Sequence, residues 1–250
     1  MPPRLSVIVP NFRTLDFTRL CLRSLRKYSQ LPIEVIVVDN NSADASLEYL
    51  KRLTWIRLFE NKTTSTGSLA HREALDIGSA NATGDWVVFF HSDTVVLREG
   101  WDRWLVDKAQ SQNAVGFSSA IRNIDPFEPR ARAWLRDLKS VFSRDRSDAK
   151  LMSYCFGVRR DLLQSSRFRF ADAGDAVTDF YNEHIRGRHA FVLLTRAELK
   201  PILWHTSNVT SIVNEQMRDT RSLAQFRRRS SQLYAAESVR SVLADDRLDL

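Results

Sequence analysis

At 250 residues, 43% hydrophobic and 27% charged, the chain has the make-up of a folded protein with a sizeable core, and no apolar run approaches the ~18 residues of a membrane span. Two cysteines, Cys21 and Cys155, supply neither a disulfide framework nor a zinc spacing; Cys21 reads as a small apolar filler on a helix face, with a reactive thiol as the alternative at either position. The net charge of +7 is uneven, with 15 Lys and Arg against 14 Asp and Glu in residues 1–125 and 22 against 16 in residues 126–250.

The first predicted element is a short β-branched strand, LSVIVP (5–10). A helix follows over 16–28, with Phe17, Leu20, Cys21, Leu25 and Tyr28 on one face. IEVIVVD (33–39) is a second strand. The stretch NNSADASLEYLKRL offers Ser42 and Asp44 as N-caps for a helix presenting Leu47, Leu50 and Leu53. TWIRLFE (54–60) is a third strand, and the polar NKTTSTG (61–67) leads into a helix running to about residue 82. DWVVFFH (85–91) is a fourth strand, followed by a helical pattern over 99–110. Beyond it the pattern is less regular. AVGFSSAIR (114–122) has strand character, and residues 123–150 suggest a loop with an amphipathic helix near Ala131–Phe142. LMSYCFGVRRDLL (151–163) is apolar and then basic. DAGDAVTDFYNEHIRGRHAFVLL (172–194) reads as a loop, a helix ending near Gly187, and a strand. From about Asn214 the tail is polar and helix-prone.

Strands alternating with helices at this spacing predict βαβ units and an α/β fold, with a mostly parallel central sheet flanked by helices. The strands are apolar throughout, as expected when helices cover both faces. We expect one domain over 1–250, softly divided into a nucleotide-binding half (1–112), an acceptor-side half (113–213) and a basic helical tail (214–250).

Ligands of such sheets bind beyond the carboxyl ends of the strands. Polar residues gather there: Pro10 and Asn11 after the first strand, Asp39 to Ser42 after the second, His91, Ser92 and Asp93 after the fourth. No G-x-G-x-x-G or P-loop follows a strand, which argues against dehydrogenase, kinase and NTPase chemistry. Asp39 suits either a turn or a hydrogen bond to a base N–H or ribose hydroxyl. Asp93 suits either a turn or a hard oxygen ligand for Mg²⁺ or Mn²⁺.

In order and spacing, SVIVPNFR, VIVVDNNSAD and ATGDWVVFFHSDTVV resemble the family 2 glycosyltransferases of GT-A fold over roughly the first 110 residues. The resemblance implies a nucleotide-sugar donor held on this half, a UDP-sugar by expectation, and a divalent cation, Mn²⁺ or Mg²⁺. It places Asp39 at the base, with Pro10, Asn11, Asn41 and Ser42 in the turns around it. Asp93 matches the aspartate that ends the family's D-x-D motif and contacts the metal. The motif's first acid is His91 here, followed by Ser92, and His91 is suited to the donor sugar, the ribose or the metal. The segment Gly67–Gly84 matches the stretch passing the ribose and diphosphate, with His71 and Arg72 as phosphate contacts. Asp175 best matches the general base of inverting members by its distance to Gly187, with Asp172 as runner-up. His205 in LWHTSN matches a late histidine that completes the metal or diphosphate site.

These implications amount to transfer of a sugar from a nucleoside-diphosphate sugar to a hydroxyl, inverting by single displacement, in polysaccharide or glycoconjugate synthesis. The alternative is a non-catalytic nucleotide-sugar or carbohydrate binder with a degenerate GT-A site, which His91 and the missing acidic doublet favour. Nucleotidyl transfer lacks its basic Gly-rich loop after strand one. No nucleic-acid recognition module is visible. The arginine-rich stretches Arg130–Arg146 and Arg227–Arg229 are either a solvated basic face or a peripheral contact with an anionic membrane or lipid-linked acceptor. The opening MPPRLSVIVP lacks the parts of a secretory signal, so the expected location is the cytoplasm, including the inner face of the membrane.

Overall fold

The computed structural model describes residues 4–127, 150–206, 209–214 and 219–250. The amphipathic helix expected near Ala131–Phe142 and the Arg130–Arg146 stretch lie outside the described residues.

Seven strands form one sheet: β1 (Leu5–Asn11), β2 (Ile33–Asp39), β3 (Ile56–Glu60), β4 (Trp86–Phe89), β6 (Ala114–Ser119), β7 (Met152–Arg159) and β8 (Ala190–Leu193). Their order is β3-β2-β1-β4-β7-β6-β8. The pairs β1–β2, β2–β3, β1–β4 and β6–β8 are parallel, whereas β7 runs antiparallel to both β4 and β6. The mostly parallel sheet flanked by helices is the architecture expected from the strand–helix alternation.

The unbroken apolar strands are buried on both faces, and successive residues divide between two cores. Val7, Val9, Val35 and Val37 pack with Cys21, Leu22 and Leu25 of α1 (Leu15–Tyr28), Leu50 of α2 (Ala45–Arg52) and Leu105 of α4 (Trp101–Ser111). Ile8, Ile36, Val38, Val87 and Phe89 pack with Ala74 and Leu75 of α3 (Gly67–Asn81) and with Phe156, Phe170 and Phe180. This two-residue alternation is the strand period, so shifting register by one would exchange the cores. The helix α3 lies close on the sheet at Gly78, where a Cβ would sit 2.4 Å from Ile8 Cγ2. Both cysteines are buried in the apolar core; burial pushes the Cys21 thiol well up, and the Cys155 thiol up to about 12.

Register decides where the polar strand ends meet. In the β1–β2 pair, Asn11 stands beside Asp39. In the β1–β4 pair, Ile8 stands beside Phe89, so the His91 turn leaves one strand over. The antiparallel β7 pairs Phe156 with Phe89, which brings its first residues, Ser153 and Tyr154, to the end where β4 finishes. Finally β5 (Val95–Val96) and β9 (Leu203–Trp204) form a two-stranded antiparallel sheet, and an isolated bridge joins Ile124 to His205. A chain segment more than a hundred residues away thereby lies beside the β4 turn.

The strands are slightly shorter than their apolar runs. Thr54 and Trp55 precede β3, and β6 ends at Ser119 rather than Arg122, where it pairs with Met152, the first residue of β7, after a register slip beyond Phe117. The helix predicted to end near Gly187 is α6 (Ala176–Phe180) continued by one π-turn, Tyr181–Ile185, and Gly187 takes the left-handed conformation at φ 72°. Before it, α5 (Arg160–Ser166) follows directly on β7; α7 (Arg196–Leu199) and α8 (Val209–Val213) flank β9. The tail forms α9 (Thr220–Ala235) and α10 (Glu237–Leu243). It is anchored to α1 by the buried Arg23, whose guanidinium donates to Asp246, Asp249 and the Leu243 carbonyl. Among the described residues, no helix is long and apolar enough to cross a membrane.

Candidate active site

Two polar centres form at the carboxyl ends of the strands. The first is a buried knot around Asp39. Asn11 Nδ2 donates to Asp39 Oδ1 at 2.6 Å, as does Ser42 Oγ at 2.6 Å, and the Ser42 amide donates to Asp39 Oδ2 at 2.9 Å. Asp39 and Ser42 are fully buried. The turn that wraps them holds Asn41 and Ala43 at φ 55° and 48°. The left-handed region suits Asn, and costs Ala about 1 kcal/mol. Asn41 is exposed and donates to the Thr63 carbonyl at 3.4 Å; Pro10 is buried at the end of β1.

The second centre lies one strand over. One donor atom from each of His91, Asp93 and His205 lies within 4.8 Å of the others. His91 Nδ1 is 3.3 Å from His205 Nε2; Asp93 Oδ1 is 3.9 Å from the former and 3.5 Å from the latter. Second partners orient both rings. His205 Nδ1 donates to the Arg122 carbonyl at 3.1 Å, which leaves the Nε2 lone pair facing Asp93. His91 Nε2 is 2.8 Å from Ser153 Oγ, which turns Nδ1 toward the same point. Tyr154 lies flat against His205, centroids 3.9 Å apart.

The electrostatics match a cation site. Burial holds His205 down at about 3, aided by the charges of Arg229 and Arg122. Burial, with the neighbouring His71 and His205, holds His91 well below its usual range. Both imidazoles are therefore neutral ligands at physiological pH. Burial raises Asp93 to about 7, and its Oδ1 is buried without a hydrogen-bond partner. An unsatisfied buried carboxylate oxygen beside two neutral imidazoles is the setting that a bound positive charge would satisfy. Ligands ~2.1 Å from a metal stand ~3–4 Å apart, and two nitrogens with one carboxylate suit Mn²⁺ better than the oxygen-seeking Mg²⁺. The residues present thus fit a divalent cation.

The two centres are connected. Asn11 accepts through Oδ1 from Thr18 Oγ1 at 2.7 Å and from Thr14 Oγ1 at 3.3 Å, and Thr14 Oγ1 is 2.9 Å from Ser92 Oγ. Ser92 therefore ties the His91–Asp93 turn to the Asp39 knot through four buried side chains.

Above the second centre opens a cleft of about 490 Å³. Its lining includes His71, Arg72, His91, Asp175 and His205 from the sequence-selected set. His71 is held down at about 4 by burial and by Arg72. The Arg72 guanidinium donates to the Gly174 carbonyl at 3.2 Å, which links α3 to the loop bearing Asp175. Asp175 is partly exposed and forms an ion pair with Lys150. Asp172 does not line the cleft; it is exposed and paired with Arg169 at 3.7 Å. Asp39, Asn11, Ser42, Pro10 and Asn41 do not line it either. Gly67 begins α3 in the left-handed conformation (φ 58°) with open space around its Cα.

Ser153, Tyr154, Arg122 and Lys150 also line the cleft, and sequence reasoning did not select them. Ser153 and Tyr154 sit in a run that reads only as apolar and then basic, and that the family resemblance marks only as the segment preceding the acceptor site. The antiparallel pairing of β7 is what carries them to the site. Lys150 had no signal beyond a generally basic second half, and Arg122 had none.

The family model for glycosyl transferase family 2 matches residues 6–166. A GalNAc(5)-diNAcBac-PP-undecaprenol beta-1,3-glucosyltransferase of Campylobacter jejuni is 25% identical over 187 residues, 72% of this chain and 59% of that enzyme. The chain spans less than two thirds of the length of the curated relatives it matches. Among solved structures, the mannosyltransferase PcManGT of Pyrobaculum calidifontis, in complex with GDP-Man and Mn²⁺, superposes with a TM-score of 0.58 at 18% identity, over 78% of this chain and 55% of that one. S. aureus TarS 1–349 in complex with UDP-GlcNAc superposes at 0.58 and 15% identity, over 94% of this chain and 67% of that one. At these identities the likeness is one of fold, the GT-A arrangement.

Proposed function

Because this chain belongs to glycosyl transferase family 2, we propose that it moves a sugar from a nucleoside-diphosphate sugar, with UDP as the nucleotide, to an acceptor hydroxyl with inversion. The observation that carries this reading is the His91–Asp93–His205 cluster beneath a cleft that also holds a cation, Arg72, and a carboxylate, Asp175.

Each part has a task in such a transfer. His91, Asp93 and His205 would hold a divalent cation, which would supply positive charge to the departing diphosphate. Arg72 adds a fixed positive charge on the same side, and neutral His71 offers a hydrogen bond. The Asp175 carboxylate accepts the proton of the acceptor hydroxyl as that oxygen attacks the anomeric carbon; the bond to the diphosphate breaks on the opposite face. Lys150, paired with Asp175 here, must give way to the acceptor. Asp39 uses three of a carboxylate's roughly four acceptor positions within the knot, leaving one for a base N–H. Because Asp39 is fully buried, that contact requires the Asn40–Ala43 turn to yield.

The named relatives support the donor class. One solved neighbour holds GDP-Man with Mn²⁺ and another UDP-GlcNAc, and the Campylobacter relative's name specifies an undecaprenol-linked acceptor. For this chain we propose a polysaccharide or lipid-linked acceptor at the cytoplasmic face of an anionic membrane, met by the basic second half.

The test is release of nucleoside diphosphate from UDP-glucose, UDP-GlcNAc and GDP-mannose, with and without Mn²⁺, alongside thermal stability. The proposal expects Mn²⁺-dependent release and a raised melting point with at least one donor. Stabilisation by donors without release, across a range of acceptors, would favour a non-catalytic binder. Neither stabilisation nor release would overturn both.

A further inference from the structure

We infer that Arg229, on the C-terminal helix α9, is a positioning residue for the divalent cation: it holds the turn that presents His205. The inference rests on the reading of His91, Asp93 and His205 as cation ligands.

Arg229 belongs to a helix rich in arginine, TRSLAQFRRRSSQLYA, yet it differs from its neighbours. Arg227 and Arg228 are exposed, whereas Arg229 is only 4% exposed. A guanidinium is costly to bury and stays buried only where specific partners meet it. Here Nη1 donates to Thr206 Oγ1 at 3.0 Å, and Nε lies 3.6 Å from Asp125 Oδ2. Both partners are themselves buried, at 3% and 2% exposure.

Those two partners are chain neighbours of the site. Thr206 directly follows His205. Asp125 follows Ile124, whose amide and carbonyl exchange hydrogen bonds with the His205 carbonyl and amide at 2.9 Å each. Two residues before Ile124, Arg122 offers the carbonyl that fixes the His205 tautomer. The His205 ring is therefore held by two short segments, 122–125 and 203–206, and Arg229 spans both. Apolar packing adds to this support: Leu233, Val239 and Val242 pack with Trp204.

The arrangement has a physical consequence. A metal site loses affinity when the groups orienting its ligands are removed, because the ligands then lose conformational freedom on binding. Releasing the bridge lets the 203–206 segment shift against 122–125, and the lone pair of His205 Nε2 no longer starts out aimed at Asp93. The last part of the chain, beyond the 6–166 span of the family match, is thereby coupled to cation binding.

The experiment measures Mn²⁺ affinity of the full chain by electron paramagnetic resonance of free Mn²⁺, together with melting temperature without metal. Arg229→Met removes the bridge but strands Asp125, so Arg229→Met/Asp125→Asn, which removes both charges, and Thr206→Val, which removes one bond, are compared with it. Arg228→Met serves as the exposed control. Expected is an Mn²⁺ Kd raised about tenfold in the double variant and by a smaller factor in Thr206→Val, with Arg228→Met unchanged and Arg229→Lys partly restoring affinity. A Kd within twofold of wild type in the double variant or, should that variant not fold, in Thr206→Val would overturn the inference, even with a lowered melting temperature, since that is the mark of a purely structural role. Absence of Mn²⁺ binding in the wild-type chain would instead overturn the cation reading itself.

Discussion

Asn11 and Asp39 meet side chain to side chain at 2.6 Å, where two parallel strands end in register and neither residue is more than 1% exposed. The carboxylate also takes the Ser42 amide and hydroxyl. Replacing Asp39 by Ala leaves these buried donors unpaired, each at a cost of about 1–3 kcal/mol. Asp39→Ala is expected to lose about 3 kcal/mol in urea unfolding. Asp39→Asn, which keeps acceptor capacity, should lose less stability while weakening nucleotide binding if the base is read here. A nucleotide affinity unchanged in a folded Asp39→Asn chain would assign Asp39 to the turn alone.

Asp93 makes metal-free stability depend on pH with a defined sign. Its folded value, raised by burial to about 7, lies above its ordinary 3.8. Between these values the folded chain holds a proton that the unfolded chain has released, so the contribution of Asp93 to stability falls as pH rises from about 4 to 7 and the penalty is complete above. The lowered values of His71, His91 and His205 act in the opposite sense over the same range, so the Asp93 contribution is read as a difference between chains: in chelator-treated protein the melting temperature of wild type should fall relative to that of Asp93→Asn as pH rises from about 4 to 7. At pH 8, Mn²⁺ at a hundred times its Kd should return about 2.7 kcal/mol to wild type. It should return little to Asp93→Asn. An equal metal response in both chains would place the cation elsewhere.

Asp175 and Asp172 separate cleanly in position, and their variants should separate in rate. Asp175 lines the cleft; Asp172 is exposed and paired with Arg169. Loss of a general base costs about 10²–10⁴ in rate. Asp175→Asn is expected to lower kcat by about that factor while nucleoside-diphosphate affinity stays within twofold. Asp172→Asn should leave both near wild type. Steady-state kinetics with nucleotide titration by calorimetry distinguishes the two, and full activity in Asp175→Asn would reassign the base.

Arg23 ties the tail to the first helix. It is buried beneath Asp246 and Asp249, and Tyr49 Oη donates to Asp249 at 2.7 Å. Burial pushes the Asp249 carboxyl up, but hydrogen bonds from Arg23 and Tyr49 outweigh it, so its value is lowered. The contact is therefore present above the ordinary carboxylate range and is lost as pH falls below it. Arg23→Ala should cost about 2 kcal/mol, charge-assisted bonds being the stronger kind. It should also expose α10 to limited proteolysis at neutral pH. Unchanged cleavage would show that apolar packing alone holds the tail.

The amino-acid sequence by itself determined the α/β alternation, the family resemblance and the polar ends of β1, β2 and β4. These are local properties: unbroken apolar runs demand cover on both faces, and a strand's end is where polar residues replace apolar ones. It also singled out His91, Asp93 and His205, and the family resemblance assigned Asp93 and His205 to one metal site. How they meet is a matter of tertiary structure, because contact between residues 91 and 205 depends on the β5–β9 pairing and the Ile124–His205 bridge, which no local periodicity encodes. The same holds for Ser153 and Tyr154, carried to the cleft by the antiparallel direction of β7, and for Arg229, which shares its helix pattern with two exposed arginines and differs only in what folding brings against it.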